Sequence, residues 1–226
     1  MCHYRTATET KRYYIERMGE PLGALFYALW QEVAWLHVKW QEYVELFGKK
    51  PSRVDLLNKA APLFFRVVQD ALWHDILMHI ARLTDPPKSV GKPNLTIRRL
   101  PELVGNQELQ ELDSLVEKAL KAAEFSRDWR NRRIAHRNLH LVLAQNAQPL
   151  AVASREKVRE ALAAIEEVLN WVEQHYTGGV TYFSPVTPPE GAETLLYVIY
   201  DGLKAREQRE QRVRQGDYSD LRLPEI

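Results

Sequence analysis

The sequence predicts an all-α protein: a four-helix up-down bundle with an extra C-terminal helix. Three observations predict it. Apolar residues recur at three- and four-residue spacing in four long stretches. Gly, Pro and cap residues separate those stretches. No segment shows the alternation of a half-buried strand.

Taken in order, residues 1–18 are polar with scattered Tyr and read as a frayed or partly helical lead-in. Pro21 suits the first turn of a helix. Leu22, Leu25, Phe26, Leu29, Trp30, Val33, Leu36 and Trp40 carry its stripe, and Val44 and Phe47 continue it. Gly48-Lys49-Lys50-Pro51 stops it. Ser52 is the expected N-cap of a second helix, with Asp55 in the place of the capping-box acid. Its apolar residues run from Leu56 through Phe64, Val68 and Ile76 to Leu83. Pro62 is expected either to kink this helix or to mark its true start. Thr84-Asp85-Pro86-Pro87 ends it, and a loop follows to about Asn94. Leu95, Ile97, Leu100 and Leu103 suggest a short helix closed by Gly105-Asn106. A third long helix starts near Gln107 and continues through Phe125 and Trp129, unbroken to about Asn138. Residues 139–152 read as a loop, with room for a short extended piece. Ser154 caps the fourth helix, whose stripe is Val158, Leu162, Ile165, Val168, Leu169 and Val172. Gly178-Gly179 ends it. Residues 180–191 form a linker. A last helix, about Ala192 to Arg214, is apolar in its first half and charged in its second, and Gly216 to Ile226 is expected to be loose.

The domain division that follows is a bundle over residues 1–176, its core about 20–176, then a linker, C-terminal helix and loose tail over 177–226. A chain of 226 residues can bury one core without staples. Its 31 Lys and Arg against 30 Asp and Glu give a net charge of +1. That argues against a bulk polyanion binder and leaves room for a local anion site. Cys2, the only cysteine, can form no intrachain disulfide and fits a reducing compartment. No apolar run is long enough to cross a bilayer, and residues 1–6 lack a signal-peptide core. The expectation is a cytoplasmic protein with no membrane partner.

The stretch that carries chemistry is residues 127–138, with five arginines, one aspartate and one histidine, a local charge of +4. A histidine moves protons near neutral pH. Arginine stays charged and forks onto phosphate oxygens. Together they suit cleavage of a phosphodiester in RNA, which supplies its own 2′-OH nucleophile, so neither metal nor other cofactor is expected. On an unbroken α-helix, six positions put Arg130 and His136 roughly 9 Å apart along the axis and about 120° apart around it. A site using both then needs a bend, a long reach or a second copy of the helix across a two-fold axis. The plain alternative is a cationic helix end complementing the helix dipole.

The run Arg130-Asn131-Arg132-Arg133-Ile134-Ala135-His136 resembles the signature of the HEPN superfamily. That signature is an arginine followed by a polar residue, then a histidine after four to six intervening residues. Here five intervene, on the third major helix of the bundle. The segment from Leu72 through Thr84-Asp85 to Asn94-Leu95 is similar to the AbiU-like branch, tied to phage abortive infection. The resemblance covers roughly residues 20–176. It implies an HEPN-like bundle and a metal-independent endoribonuclease acting as a homodimer, a toxin or phage-defence effector. Arg130 and His136 would be catalytic with Asn131 supporting them. Arg127, Arg132, Arg133, Arg137 and Trp129 would contact RNA. An antitoxin, of nucleotidyltransferase type or other, is an implied partner. Some HEPN proteins lack nuclease activity, so a non-catalytic module binding RNA or protein is the alternative.

Other candidates are weaker. Asp75 and His79 lie one turn apart, but the spacing fits no zinc motif, and a buried helix face is the better reading. Asp85 is placed to pair with the arginine cluster. His140 reads as a surface residue. Trp30, Trp35 and Trp40 rotate about 140° apart and cannot form one stripe; core and interface burial is favoured over base stacking. Trp129 either stacks a base or covers the cleft, and the second is favoured. The charged half of the last helix reads as a solvated face, and its apolar half needs a surface to cover. No Walker loop, dinucleotide fingerprint, nucleophile elbow or two-metal carboxylate cluster is present.

Overall fold

Local side chains explain where several helices begin. The computed structural model describes residues 5–105, 109–136, 138–143, 148–183 and 190–219. Of the two expectations for residues 1–18, frayed or partly helical, the structure shows the helical one as α1 (Ala7–Met18). Thr6 and Glu9 form a capping box: the Glu9 N–H donates to Thr6 Oγ1 at 3.3 Å, and the Thr6 N–H donates to Glu9 Oε2 at 2.7 Å. Gly19, at φ 81°, turns the chain into α2 (Glu20–Phe47). Helix α3 (Pro51–Ala60) starts on Pro51 at its first position with no side-chain cap, so Ser52 is not the N-cap. Pro62 marks the start of a separate helix, α4 (Pro62–Leu83), rather than a kink.

The loop after α4 holds a two-stranded hairpin, β1 (Lys88–Ser89) and β2 (Lys92–Pro93), antiparallel with Ser89 opposite Lys92. Its two-residue turn has Val90 at φ 48° and Gly91 at φ 77°. The short helix expected around Leu100 is a 3₁₀ turn, Ile97–Arg99, capped by Thr96. The third long helix is segmented into α5 (Leu109–Ala122), α6 (Glu124–Trp129) and a π turn (Arg130–Ile134). Asn138 caps α7 (Leu139–Val142), where a loop was expected. Ser154 caps α8 (Arg155–Thr177), and Gly178 ends it at φ 72°. The last helix, α9, spans Ala192–Arg214. The expected helix end at Asn106, the start near Gln107, residues 184–189 of the linker and 220–226 of the tail lie outside the described residues.

The chain divides into two compact units, residues 1–40 with 73–185, and 41–72 with 186–226. The first is an all-α bundle. Its core takes Phe26, Leu29, Val33 and Leu36 from α2, and Ile76, Leu77 and Ile80 from α4. Leu112 and Ala119 come from α5, and Val158, Ile165, Val168, Leu169 and Val172 from α8. The stripe of the fourth predicted helix is thus buried throughout, and that of the first in part, with Leu25, Trp30, Trp40, Val44 and Phe47 half-buried. Trp35, by contrast, is 58 % exposed and lies outside this core.

Residues 178–183 are tied into this unit instead of hanging as linker. The Glu173 carboxylate accepts from Tyr14 at 2.8 Å and from the Thr181 hydroxyl at 2.7 Å. Thr181 Oγ1 accepts from Trp30 Nε1 at 3.0 Å, and the Thr181 N–H donates to Asn170 at 2.9 Å. Phe183 stacks on the buried His37, whose imidazole burial pushes down to about 4.

In the second unit, α9 packs on α3. Leu46, Leu57, Phe65, Ala192 and Leu196 make its core. Arg53 joins Glu45 to Glu193, and the Ala192 N–H donates to Glu42 at 2.6 Å. One side of the apolar half of the last helix, Ala192, Leu196 and Ile199, therefore covers a surface of its own chain, while Leu195 and Val198 stay exposed.

Glycines at two helical positions meet opposite surroundings. A Cβ on Gly23 would lie 2.5 Å from the Tyr14 carbonyl oxygen and 2.6 Å from Ile15 Cα, because α1 crosses there backbone to backbone. A Cβ on Gly202 would meet nothing within 4 Å. Gly23→Ala is expected to destabilise by about 1–3 kcal/mol through overpacking. Gly202→Ala is expected to stabilise by about 0.5–1 kcal/mol through helix entropy. Urea unfolding of both variants checks the pair, and shifts of the same sign would contradict it.

Candidate functional site

The site is built on two turns of the first unit. The first follows α4. Thr84, fully buried, donates from its hydroxyl to Ile80 O at 3.0 Å and Ala81 O at 3.2 Å. The buried Thr96 hydroxyl lies 3.0 Å from Leu83 O and 2.8 Å from Asp85 O. Asn94 Nδ2 donates to Pro86 O at 2.8 Å. With these bonds the turn has few ways to move, and Asp85 projects from a fixed backbone.

The second turn is the arginine segment. The α5–α6 break falls at Ala123, without a Gly or Pro. There Ser126, fully buried, gives both its N–H (3.0 Å) and its hydroxyl (2.6 Å) to the Ala123 carbonyl. A serine bonding back to its own helix competes with the α ladder. One residue past α6 the helix widens: the Ala135 N–H donates to Arg130 O at 2.9 Å, five residues back. Such π turns occur mostly as single turns within α-helices and often at functional sites. The angle derived for Arg130 and His136 on an unbroken α-helix therefore does not apply.

The five arginines of the cluster have different fates. Arg130 pairs through Nη1 with Asp85, and its Nε–H donates to Asn131 Oδ1 at 3.0 Å. Arg127 turns inward and donates to Thr84 O at 3.1 Å. Arg132 pairs with Asp128 at 3.1 Å and donates to the carbonyls of Gln148 and Pro149. Arg133 is exposed, with its guanidinium carbon 5.2 Å from the centre of the Trp129 ring. Arg137 lies outside the described residues.

Trp129 is half-buried and donates from its indole N–H to Ala151 O at 2.7 Å. The Ala151 N–H in turn donates to Asp128 at 2.8 Å. Trp129, Asp128 and Arg132 thus clamp residues 148–151. Asn131 and His136 are exposed. Among the described residues of the motif, what stays open is one guanidinium held by acceptors, one imidazole and the Arg133 charge. That set suits a phosphate with a proton to move.

The remaining candidates resolve elsewhere. Asp75 pairs with Lys39 at 2.6 Å, and His79, 1 % exposed, lies 2.8 Å from Glu32. Burial, and then the nearby Lys39 charge, hold the His79 imidazole below its ordinary range. Among the described residues no three His, Cys, Asp or Glu side chains are grouped to hold a metal ion. His140 is exposed on α7. A cleft of about 650 Å³ is lined by Lys118, Phe125, Asp128, Arg132, Pro149 and Lys157, among others. It borders the clamp, and neither Arg130 nor His136 lines it. Among the described residues no helix is long and apolar enough to cross a membrane.

Residues 19–195 match the HEPN_AbiU2 family model, described as AbiU2. No curated protein and no solved structure matches the chain.

The clamp gives a prediction separate from any chemistry. Asp128→Ala removes the acceptor of the Ala151 N–H and the partner of Arg132. It should cost about 1–3 kcal/mol and speed hydrogen exchange at the Ala151 amide. Unchanged exchange at that amide would show that Asp128 does not hold the segment.

Proposed function

The chain belongs to the HEPN_AbiU2 family, and from that premise we propose that it is a metal-independent endoribonuclease serving abortive infection. The observation that carries the proposal is the state of Arg130. Asp85 and Asn131 take two of its N–H groups. Three of the five guanidinium donors remain for a ligand, on the same π turn that leads to the exposed His136.

In this reading the ribose 2′-oxygen attacks the adjacent phosphorus, and the bond from phosphorus to the 5′-oxygen breaks. His136 takes or returns the proton at these oxygens. Arg130 stabilises the charge that grows on the phosphoryl oxygens. The products are a 2′,3′-cyclic phosphate and a 5′-hydroxyl. RNA brings its own nucleophile, so the step needs no metal-bound water. Asn131 supports Arg130 through the Arg130 Nε–H, and Arg133, exposed among the described residues of the cluster, contacts the RNA backbone. Arg127, Arg132 and Trp129 act indirectly, by holding the two turns. A homodimer would bring two copies of the motif to one cleft. A toxin of this kind calls for a restraining antitoxin, and we place the protein and its RNA target in the cytoplasm.

The test is RNA cleavage by the purified protein in EDTA. Wild type should cleave, and Arg130→Ala and His136→Ala should each lose at least about 10²-fold in rate with the fold retained. Arg133→Ala should weaken RNA binding and lower its salt slope by about one. RNA binding without cleavage by any form would favour a non-catalytic module and sink the nuclease reading.

A further inference from the structure

Asp85 is the residue the proposed chemistry has not used. A carboxylate beside the arginine offered to the scissile phosphate is at first sight a liability, since it competes for the guanidinium and cancels its charge. Its backbone, however, is among the best fixed at this end of the unit. The Asp85 carbonyl accepts from the buried Thr96 hydroxyl at 2.8 Å, and its N–H donates to Arg82 O at 3.2 Å. Thr84, just before it, is bonded through both its hydroxyl and its carbonyl. Both members of the Asp85–Arg130 pair are half-buried, with side chains 18 % and 21 % exposed.

Two acceptors engage two different nitrogens of Arg130: Asp85 at Nη1 and Asn131 at Nε, the latter at 3.0 Å. Two bonds to a planar group fix both its position and its plane. A long side chain that would otherwise sample several rotamers is held in one. Nη2 keeps both of its N–H groups and Nη1 keeps one, so donors on two nitrogens remain for phosphate oxygens.

We infer that Asp85 is a positioning residue: it aims the Arg130 guanidinium so that its free edge meets the scissile phosphate. The inference rests on the ribonuclease reading of this site. It also separates two quantities that usually fall together. Asp85 contributes no affinity for RNA, because a carboxylate repels phosphate. Removing it should leave RNA binding unchanged or tighter while slowing the chemical step.

The experiment uses the full chain with Asp85→Ala and Asp85→Asn. The amide keeps an acceptor on the same stem and guards against a variant that simply unfolds. Steady-state cleavage of an RNA oligonucleotide in EDTA gives kcat and KM. Nitrogen-15 NMR of the Arg130 Nε–H gives the side chain's order without any activity. Asp85→Ala should lose about 10²-fold in kcat with KM unchanged or lower, and its Arg130 signal should show averaging. Asp85→Asn should recover most of the turnover and the ordered signal. A raised KM at unchanged kcat, or an Arg130 signal indifferent to both variants, would overturn the assignment. If wild type cleaves no RNA, the ribonuclease reading fails, and the NMR comparison still decides whether Asp85 orders Arg130.

Discussion

The pairing of Arg130 with Asp85 is the constraint on which this end of the molecule depends. It joins the turn after α4 to the π turn, two segments 45 residues apart in the chain. Each side of the pair is built first by its own local bonds. Thr84 and Thr96 stiffen one turn, and Asp128, Trp129 and Arg132 brace the other. Charge-assisted hydrogen bonds at such a junction exceed neutral ones in strength. Because both partners are half-buried, removing either leaves the other without its counter-charge. The pair therefore constrains the backbone on both sides as well as the guanidinium itself.

The arginine cluster looks uniform in sequence and is divided in the fold. Arg127 and Arg132 spend their donors on backbone carbonyls, in part what a cationic helix end is expected to do. Arg130 is shared between protein and solvent, and Arg133 faces outward. The local charge of +4 over residues 127–138 already counts Asp128, which pairs with Arg132, and Asp85 at Arg130 lowers it to +3. The field left for a polyanion is narrower than the count suggests. A restricted site of this kind suits a single phosphate better than a long stretch of nucleic-acid backbone.

Periodicity was enough to place the stripes of α2 and α8, because burial of one face is the strongest constraint on a helix. The Ser154 cap and the Gly178 stop were legible for the same local reason. Pairing of Asp85 with the arginine cluster was also within reach, since a lone carboxylate ends the helix before a turn. The break at Ala123 was not legible, because its cause is the buried Ser126 hydroxyl and no Gly or Pro marks it. The hairpin was missed because Val90-Gly91 puts a β-branched residue at positive φ, where Asn or Gly is the usual signal. The capping box of Thr6 and Glu9 was in plain view and decides for a helix between the frayed and partly helical starts that the composition leaves open. The separate duties of Arg127, Arg130 and Arg132 depend on partners 43, 45 and 16–17 residues away, and no spacing rule within the motif reports those.

The central claim is that the substrate's own 2′-hydroxyl does the work while Arg130 and His136 manage charge and protons. The most direct measurement places a single 2′-deoxy nucleotide immediately 5′ to the bond that the protein cleaves, and incubates that oligonucleotide in EDTA beside its all-ribose parent. The account predicts that the parent is cut to a 2′,3′-cyclic phosphate and that the substituted bond stays intact. Cleavage of the substituted bond, leaving a 3′-hydroxyl and a 5′-phosphate, would contradict it.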